Sequence, residues 1–284
     1  MRLHDGNLSL FQYNGGVLKY SDFIDALHKC EADKCDILFV HSDISFGLPV
    51  NGLKRKEMKE VMLDALSETG VKTLIFPTFT FSFCNHEDYD IQNSPTKMGM
   101  LPEFVRSTQD IIRTDDPILS VAIRGDSTGL ERMNGRSSCG TGGIFHQLHN
   151  SGKDVKFLFF GTSVTKCFTY LHYVEEIKKV PYRYTRKFEG KVIDNGVVSD
   201  RSIDLFVRYK GVVPTLPENM ESDYLKRGIE LKVPVGNSWI SSVKEDMAYQ
   251  YISELIDKNK YVFSILPEAG EFIEEYEYGN VTTM

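Results

Sequence analysis

Val155-Lys156-Phe157-Leu158-Phe159-Phe160 is an apolar run of strand length; the small-residue turn Gly161-Thr162-Ser163 follows it, and then Cys167-Phe168-Thr169-Tyr170-Leu171-His172-Tyr173-Val174-Glu175-Glu176. A strand handed by a short turn to a helix is the building unit of α/β proteins. The turn puts the helix start, and with it His172, near the C-terminal edge of a sheet, where open α/β folds hold their ligands. His172 and Glu175 are three residues apart and share a helical face. A neutral imidazole with a pKa of ~6.5 can remove a proton at neutral pH, and a carboxylate can fix its tautomer. The same spacing also fits an ordinary solvated helix face.

Outward from this unit, strands and helices alternate. Asp36–His41, Lys72–Phe76 and Leu119–Ile123 read as further buried strands, and Leu18–His28, Lys54–Leu66 and a short segment from Pro102 as helices. The order predicts a three-layer α/β/α protein with a central sheet, mostly parallel or mixed, covered on both faces. After Pro181 the character changes. Arg186–Val192, Val197–Asp204 and Leu205–Lys210 read as short polar strands, Ser241–Lys258 as an amphipathic helix with Met247, Tyr251, Leu255 and Ile256 inward, and Tyr261–Ile265 as a late strand. With no Pro/Gly/Ser-rich linker and no repeat, the expectation is one domain over 1–284, with a β-rich elaboration around 181–240.

The chain has 284 residues and a net charge of −7, which argues against nonspecific nucleic-acid binding. Its cysteines, Cys30, Cys35, Cys84, Cys139 and Cys167, are an odd, scattered set without a CxxC pair, so neither a zinc site nor a disulfide framework is expected. A reduced, cytoplasmic protein is the simplest expectation. Met1–Asn7 lacks the apolar core of a signal peptide, and no apolar run approaches the ~20 residues of a membrane span. The acidic stretch Glu268–Glu277 reads as a solvated tail. The oligomeric state is left open, a homo-oligomer included.

Polar residues stand where two apolar runs stop, at His41-Ser42-Asp43-Ile44-Ser45 and at Pro77-Thr78-Phe79-Thr80-Phe81-Ser82. Hydroxyls and freed N–H groups at such edges can bind a ligand, or simply cap turns. Gly140-Thr141-Gly142-Gly143 enters a helix but is neither a P-loop nor a dinucleotide fingerprint, and a plain capping loop is the better reading. Asp88–Gly99 is a long polar loop of a kind that is often functional.

The order of the segments is more specific than any one of them. Leu38–Ser42, Leu74–Thr80, Asn93–Glu103, Asp116–Ala122, Phe159–Gly161, Leu171–Glu175 and Val233–Ser238 together resemble the aminoglycoside 3-N-acetyltransferase family, over roughly residues 18 to 258. The resemblance implies an acyl-CoA-dependent N-acyltransferase that moves an acyl group, acetyl by default, directly to the amine of an amino sugar, with no metal. It implies His172 as general base, oriented by Glu175 or the adjacent Glu176. It implies Thr78 as an oxyanion donor, and His41, Ser42, Ser45, Thr80, Ser94 and Met98 beside coenzyme A.

Departures from the family pattern fall at Asp43, at Pro49–Lys56 and at Asp115-Asp116-Pro117-Ile118. They lie near expected ligand-facing turns, so the acceptor is left between an aminoglycoside and a nucleotide-linked deoxyamino sugar. The clusters Lys54-Arg55-Lys56 and Arg183-Tyr184-Thr185-Arg186-Lys187 would meet phosphates or be plain solvated surface. Two other classes compete with the transferase: a coenzyme A or amino-sugar binding protein without turnover, and a hydrolase using Cys167 or Ser42.

Overall fold

Ile37, Leu38, Phe39 and Val40 are all fully buried, as are Phe157 to Phe160. A strand covered on both faces has no reason to alternate polar and apolar residues. Its side chains still alternate in direction. Ile37, Phe39, Phe157 and Phe159 enter one core cluster, while Leu38, Val40, Leu158 and Phe160 enter another on the opposite face.

The computed structural model describes residues 3–127, 129–268 and 271–276. In chain order the main strands are β1 (Ile37–Ser42), β2 (Thr73–Pro77), β3 (Ile111–Arg113), β4 (Val121–Gly125), β5 (Val155–Phe160), β6 (Arg183–Asp194), β7 (Val197–Arg208), β8 (Glu230–Val235) and β9 (Ser238–Lys244). Seven of them form one sheet in the order β8-β9-β5-β1-β2-β4-β3. Helices α1 (Tyr20–Lys29), α2 (Arg55–Ser67) and α3 (Met100–Val105) cover one face through Phe23, Met62 and Val105. Helices α4 (Ile144–His149), α6 (Tyr170–Ile177) and α7 (Glu245–Lys258) cover the other through Phe145, Val174 and Ile252.

The α/β/α layering matches the expectation, and of the two sheet types allowed the mixed one is found. Within this sheet, among the described residues, only β1 pairs in parallel, with β5 and with β2. The β2–β4, β4–β3, β5–β9 and β9–β8 pairs are antiparallel. An apolar run reveals burial but not direction.

Several boundaries also differ from the sequence reading. Leu18 and Lys19 end a small strand, Gly16–Lys19, before α1 begins. Residues 238–244 are strand, so the last long helix starts at Glu245, and Met247 and Leu255 are only partly buried. The late strand shrinks to Ser264–Ile265. The β-rich elaboration is not three short strands but one hairpin of twelve-residue arms, β6 and β7, and β8 and β9 within 181–240 belong to the main sheet. Asn195 (φ 50°) and Gly196 (φ 82°) form its two-residue turn. Positive φ at both positions suits Asn-Gly and matches the twist of the arms.

The helix expected over 167–176 is broken. A four-residue helix α5 (Val164–Cys167) stops at Phe168, whose φ of −79° and ψ of 72° leave the helical region. Its ring packs on Phe157 at 5.1 Å and Phe159 at 5.6 Å. Burying that ring turns the chain before α6 begins at Tyr170.

Candidate active site

Because β1 and β5 are parallel, with His41 opposite Phe159 and Ser42 opposite Phe160, their carboxyl ends open at one edge. Gly161 holds that edge together. Its φ is +81°, and a Cβ there would lie 1.7 Å from the Asp43 carbonyl oxygen, so no side chain fits.

Two cavities flank the edge. The strand-end cavity, about 610 Å³, is lined by His41, Ser42, Asp43, Ser45, Arg55, Lys97, Met98, Cys167 and Thr169, among others. The hairpin cavity, about 470 Å³, is lined by Phe81, His172, Arg183, Phe206, Arg208, Tyr209, Lys210, Glu275 and Tyr276, and again by Cys167 and Thr169. The two therefore meet at the break between α5 and α6, one helical turn from His172.

His172 is held from behind. Its Nδ1 is 2.7 Å from Glu175 Oε2, and Arg183 Nη2 is 2.8 Å from the same oxygen and 2.9 Å from Nδ1. Tyr182 donates its hydroxyl to Glu175 Oε1 at 2.5 Å. The arrangement that satisfies these groups has Nδ1–H and the guanidinium both donating to one carboxylate, which leaves Nε2 as the nitrogen free for a substrate. Burial lowers the His172 pKa, and the Arg183 charge lowers it further against the pull of Glu175. Burial works to raise the pKa of Glu175, but Arg183, His172 and Tyr182 outweigh it and hold the carboxyl at about 2. The unit at neutral pH is a neutral imidazole on an ionised carboxylate.

Of the two adjacent acids, Glu175 is the partner. Glu176 points away and accepts from the Ser137 hydroxyl at 2.6 Å, with burial raising its pKa. The glycine-rich run serves this packing: a Cβ on Gly140 would meet Glu176 Oε1 at 2.0 Å.

The strand-end cavity gathers His41, Ser42, Ser45 and Met98. His41 stacks on Phe159 at 5.2 Å with rings 7° apart, and burial lowers its pKa to about 3. Its Nε2 and the Ser42 Oγ are buried and lack hydrogen-bond partners among the described residues. Unpaired polar atoms are costly in a core but expected where a ligand binds. The Ser45 hydroxyl donates to Asp43 Oδ1 at 2.6 Å. Arg55 begins α2 here and adds its charge to that of the helix N-terminus.

Thr78, Thr80 and Ser94 are not brought to either cavity. The Thr78 hydroxyl donates to the Ser120 carbonyl at 3.1 Å and accepts from Arg113 Nε at 3.2 Å, and its N–H donates to Ser120 O at 2.9 Å. It is fully buried, so neither donor is available to an oxyanion. Thr80 donates to the Pro117 carbonyl at 2.8 Å. Ser94 Oγ accepts from the Asp90 N–H at 2.9 Å, and its carbonyl accepts from Arg113 at 2.5 Å. A buried arginine ties these segments together behind the site.

Asp115 and Asp116 are likewise structural. Asp116 accepts from the Ile118 and Leu119 N–H groups at 2.8 and 3.0 Å and from Ser138 at 2.6 Å, while Asp115 pairs with Arg201 at 3.0 Å. Cys167 sits at the junction, but burial raises its thiol to about 11, which keeps it protonated at neutral pH and a poor nucleophile. The acidic tail is not simply solvated: Glu275 and Tyr276 complete the hairpin cavity, while Ala269, Gly270 and Glu277 lie outside the described residues. Arg208, Tyr209 and Thr169 escaped the sequence reading. The Asn195-Gly196 turn could have placed Arg208, because counting back along both arms sets it opposite Arg183.

A family model described as aminoglycoside 3-N-acetyltransferase matches residues 39–257. Among solved structures, the chain is similar to AAC-IIIb in binary complex with CoASH, at 18% identity over 92% of this chain and 99% of that one, with a TM-score of 0.69. It is similar to AAC-VIa bound to sisomicin, at 17% identity over 85% and 98%, with a TM-score of 0.67. It is also similar to the YokD protein from Bacillus subtilis, at 15% identity over 88% and 94%, with a TM-score of 0.64. At these identities the likeness establishes the fold. No curated protein matches the chain by sequence.

Proposed function

The chain belongs to the aminoglycoside 3-N-acetyltransferase family, and from that premise we propose that His172 is the general base for acyl transfer to the amine of an amino sugar. Membership makes it an acyl-CoA-dependent N-acetyltransferase with acetyl-CoA as co-substrate. The observation that carries the detailed reading is the meeting of two cavities at Cys167 and Thr169, beside a His172–Glu175 pair.

The strand-end cavity is assigned to the donor. Its size and its largely apolar lining with cations at Arg55 and Lys97 suit a long, polar-ended ligand: Arg55 and Lys97 would face phosphates, and Met98 the arm. His41 Nε2 and Ser42 Oγ, the orphaned buried atoms, take the thioester-side role that Thr78 cannot fill. Acetyl-CoA supplies a thioester-activated acyl group.

The hairpin cavity is assigned to the acceptor. An amino-sugar amine is largely an ammonium at neutral pH and must lose a proton to attack. His172 Nε2, neutral and backed by Glu175, takes it. The amine nitrogen gains the acyl carbon as the C–S bond breaks; of the two protons the ammonium gives up, one leaves with sulfur as the thiol and the other passes through His172 to solvent. Glu175 stays ionised and stabilises the imidazolium formed in between, so no acyl-enzyme is needed.

The acceptor class spans aminoglycosides and nucleotide-linked deoxyamino sugars. We assign both cavities to one domain, with the segment around 181–240 supplying the acceptor wall through β7. We place the activity in the cytoplasm, in keeping with five free cysteines and a thioester donor. No helix among the described residues is long and apolar enough to cross a membrane.

Thiol release from acetyl-CoA, with the product identified by mass, tests this across a panel of amino sugars. The expected result is release only with an amine acceptor, abolished in His172→Ala. Near-normal turnover in that variant, or release to water that depends on Cys167 or Ser42, would overturn the mechanism.

A further inference from the structure

The hairpin register sets Arg183 directly opposite Arg208, on the same face of the ribbon. Like charges facing one another across a strand pair destabilise it, so each needs a counter-charge. Arg183 has one in Glu175 Oε2 at 2.8 Å. Lys210, farther along the same wall, has Glu275 at 2.7 Å. Arg208 is partly buried and lines the cavity, yet its side chain makes no hydrogen bond or ion pair among the described residues. Burial, then the Arg183 charge, lowers its pKa to about 10 against the more distant pull of Glu175, which still leaves it cationic at neutral pH. A desolvated charge without a hydrogen-bonded partner is costly, and the cost falls if a ligand brings the anion.

We propose that Arg208 recognises an anion on the acceptor, so that the substrate amine belongs to a phosphate-bearing sugar such as a nucleoside-diphosphate-linked amino sugar. This rests on the reading of the hairpin cavity as the acceptor site. A guanidinium fork fits phosphate oxygens two at a time. Phe81, Tyr209 and Tyr276 add aromatic lining for a base or sugar, with Tyr209 packed on Tyr184 and Phe272, and Tyr276 on Phe188. A polycationic antibiotic meets a different environment: Glu175 and Glu275 match Arg183 and Lys210, which leaves the Arg208 charge unmatched on the wall.

The test compares four acceptors with acetyl-CoA: a nucleoside-diphosphate-linked aminodeoxyhexose, the corresponding sugar 1-phosphate, its methyl glycoside, and an aminoglycoside. Wild-type kcat/KM is expected to be highest for the phosphate-bearing pair. Preference for the nucleotide-linked sugar over the 1-phosphate assigns the base to the aromatic rings; equal rates assign recognition to phosphate alone. Arg208→Gln is expected to lower the ratio of kcat/KM for the phosphate-bearing sugar over the methyl glycoside by roughly ten- to a hundredfold, mostly through KM. Arg208→Lys should recover part of it and reports on folding. An unchanged ratio in Arg208→Gln, or wild-type preference for the aminoglycoside or methyl glycoside, overturns the proposal while leaving the transferase reading standing. If none of the four is acetylated, calorimetry with the nucleotide-linked sugar decides: binding lost in Arg208→Gln keeps the anion site and sinks the transferase reading, and absence of binding to wild type sinks the anion site.

Discussion

The two cavities differ in how the chain builds them. The strand-end cavity is built around segment 41–45 at the end of a parallel strand and the loop 97–101 that runs into α3, with Arg55, Pro77 and Phe79 added from neighbouring elements. The hairpin cavity draws Arg183, Arg208 and Glu275 from three distant places and brings them together only through cross-strand register and a returning tail. Their electrostatics differ as well. The first offers neutral orphaned atoms, His41 Nε2 and Ser42 Oγ, with cations at Arg55 and Lys97. The second holds a pre-assembled ionic unit around Glu175. On the proposed assignment, a cavity of the first kind serves the donor, and one of the second kind sets the base and chooses the acceptor.

Substitutions can break that division. The largest effect is expected from His172→Ala, which should lower kcat by ~10²–10⁴-fold with the acetyl-CoA KM preserved; a change confined to KM would mean the base lies elsewhere. Arg183→Gln should come next, and its signature is in the pH profile. In the proposed mechanism His172 works unprotonated, so the rate falls as pH drops through its pKa, which burial and Arg183 hold below the ordinary histidine range. Wild type should therefore keep most of its rate at pH 6.5, whereas loss of the guanidinium should raise that pKa and move the acid limb upward. An acid limb that stays in place would detach Arg183 from the base.

Arg55→Ala probes the other cavity. It should raise the acetyl-CoA KM by about tenfold, the order expected for a lost charge-assisted contact, and spare the acceptor KM. Equal changes in both would merge the two cavities into one site. Smallest of all should be Cys167→Ala, with turnover within a few-fold of wild type, because a thiol held at about 11 has no chemical part. Inactivation by this change would revive a thiol nucleophile.

The same contrast explains what could be read without a structure. The unit 155–176 was legible because a buried strand, a glycine turn and a three-residue His–Glu spacing are all local. So was the place of His41 and Ser42 at a strand end, and of Met98 in the polar loop before α3. Thr78 was misplaced because a hydroxyl at a strand end can face a ligand or the core, and only the buried Arg113 decides the matter. The antiparallel setting of β4 was invisible for a related reason, since burial leaves no mark of direction. Arg208 depended on register, which one turn fixes for a whole ribbon. The Asn195-Gly196 signal stood in the chain, but splitting the second arm at Asp204 hid its reach.

Phe168, by burying its ring and ending α5, leaves Cys167 and Thr169 as a wall common to both cavities. A partition with room on each side lets both substrates be resident at once. Initial-rate lines at varied donor and acceptor should then intersect, as in a ternary-complex mechanism, and isotope exchange between acetyl-CoA and free coenzyme A should be silent until the acceptor arrives.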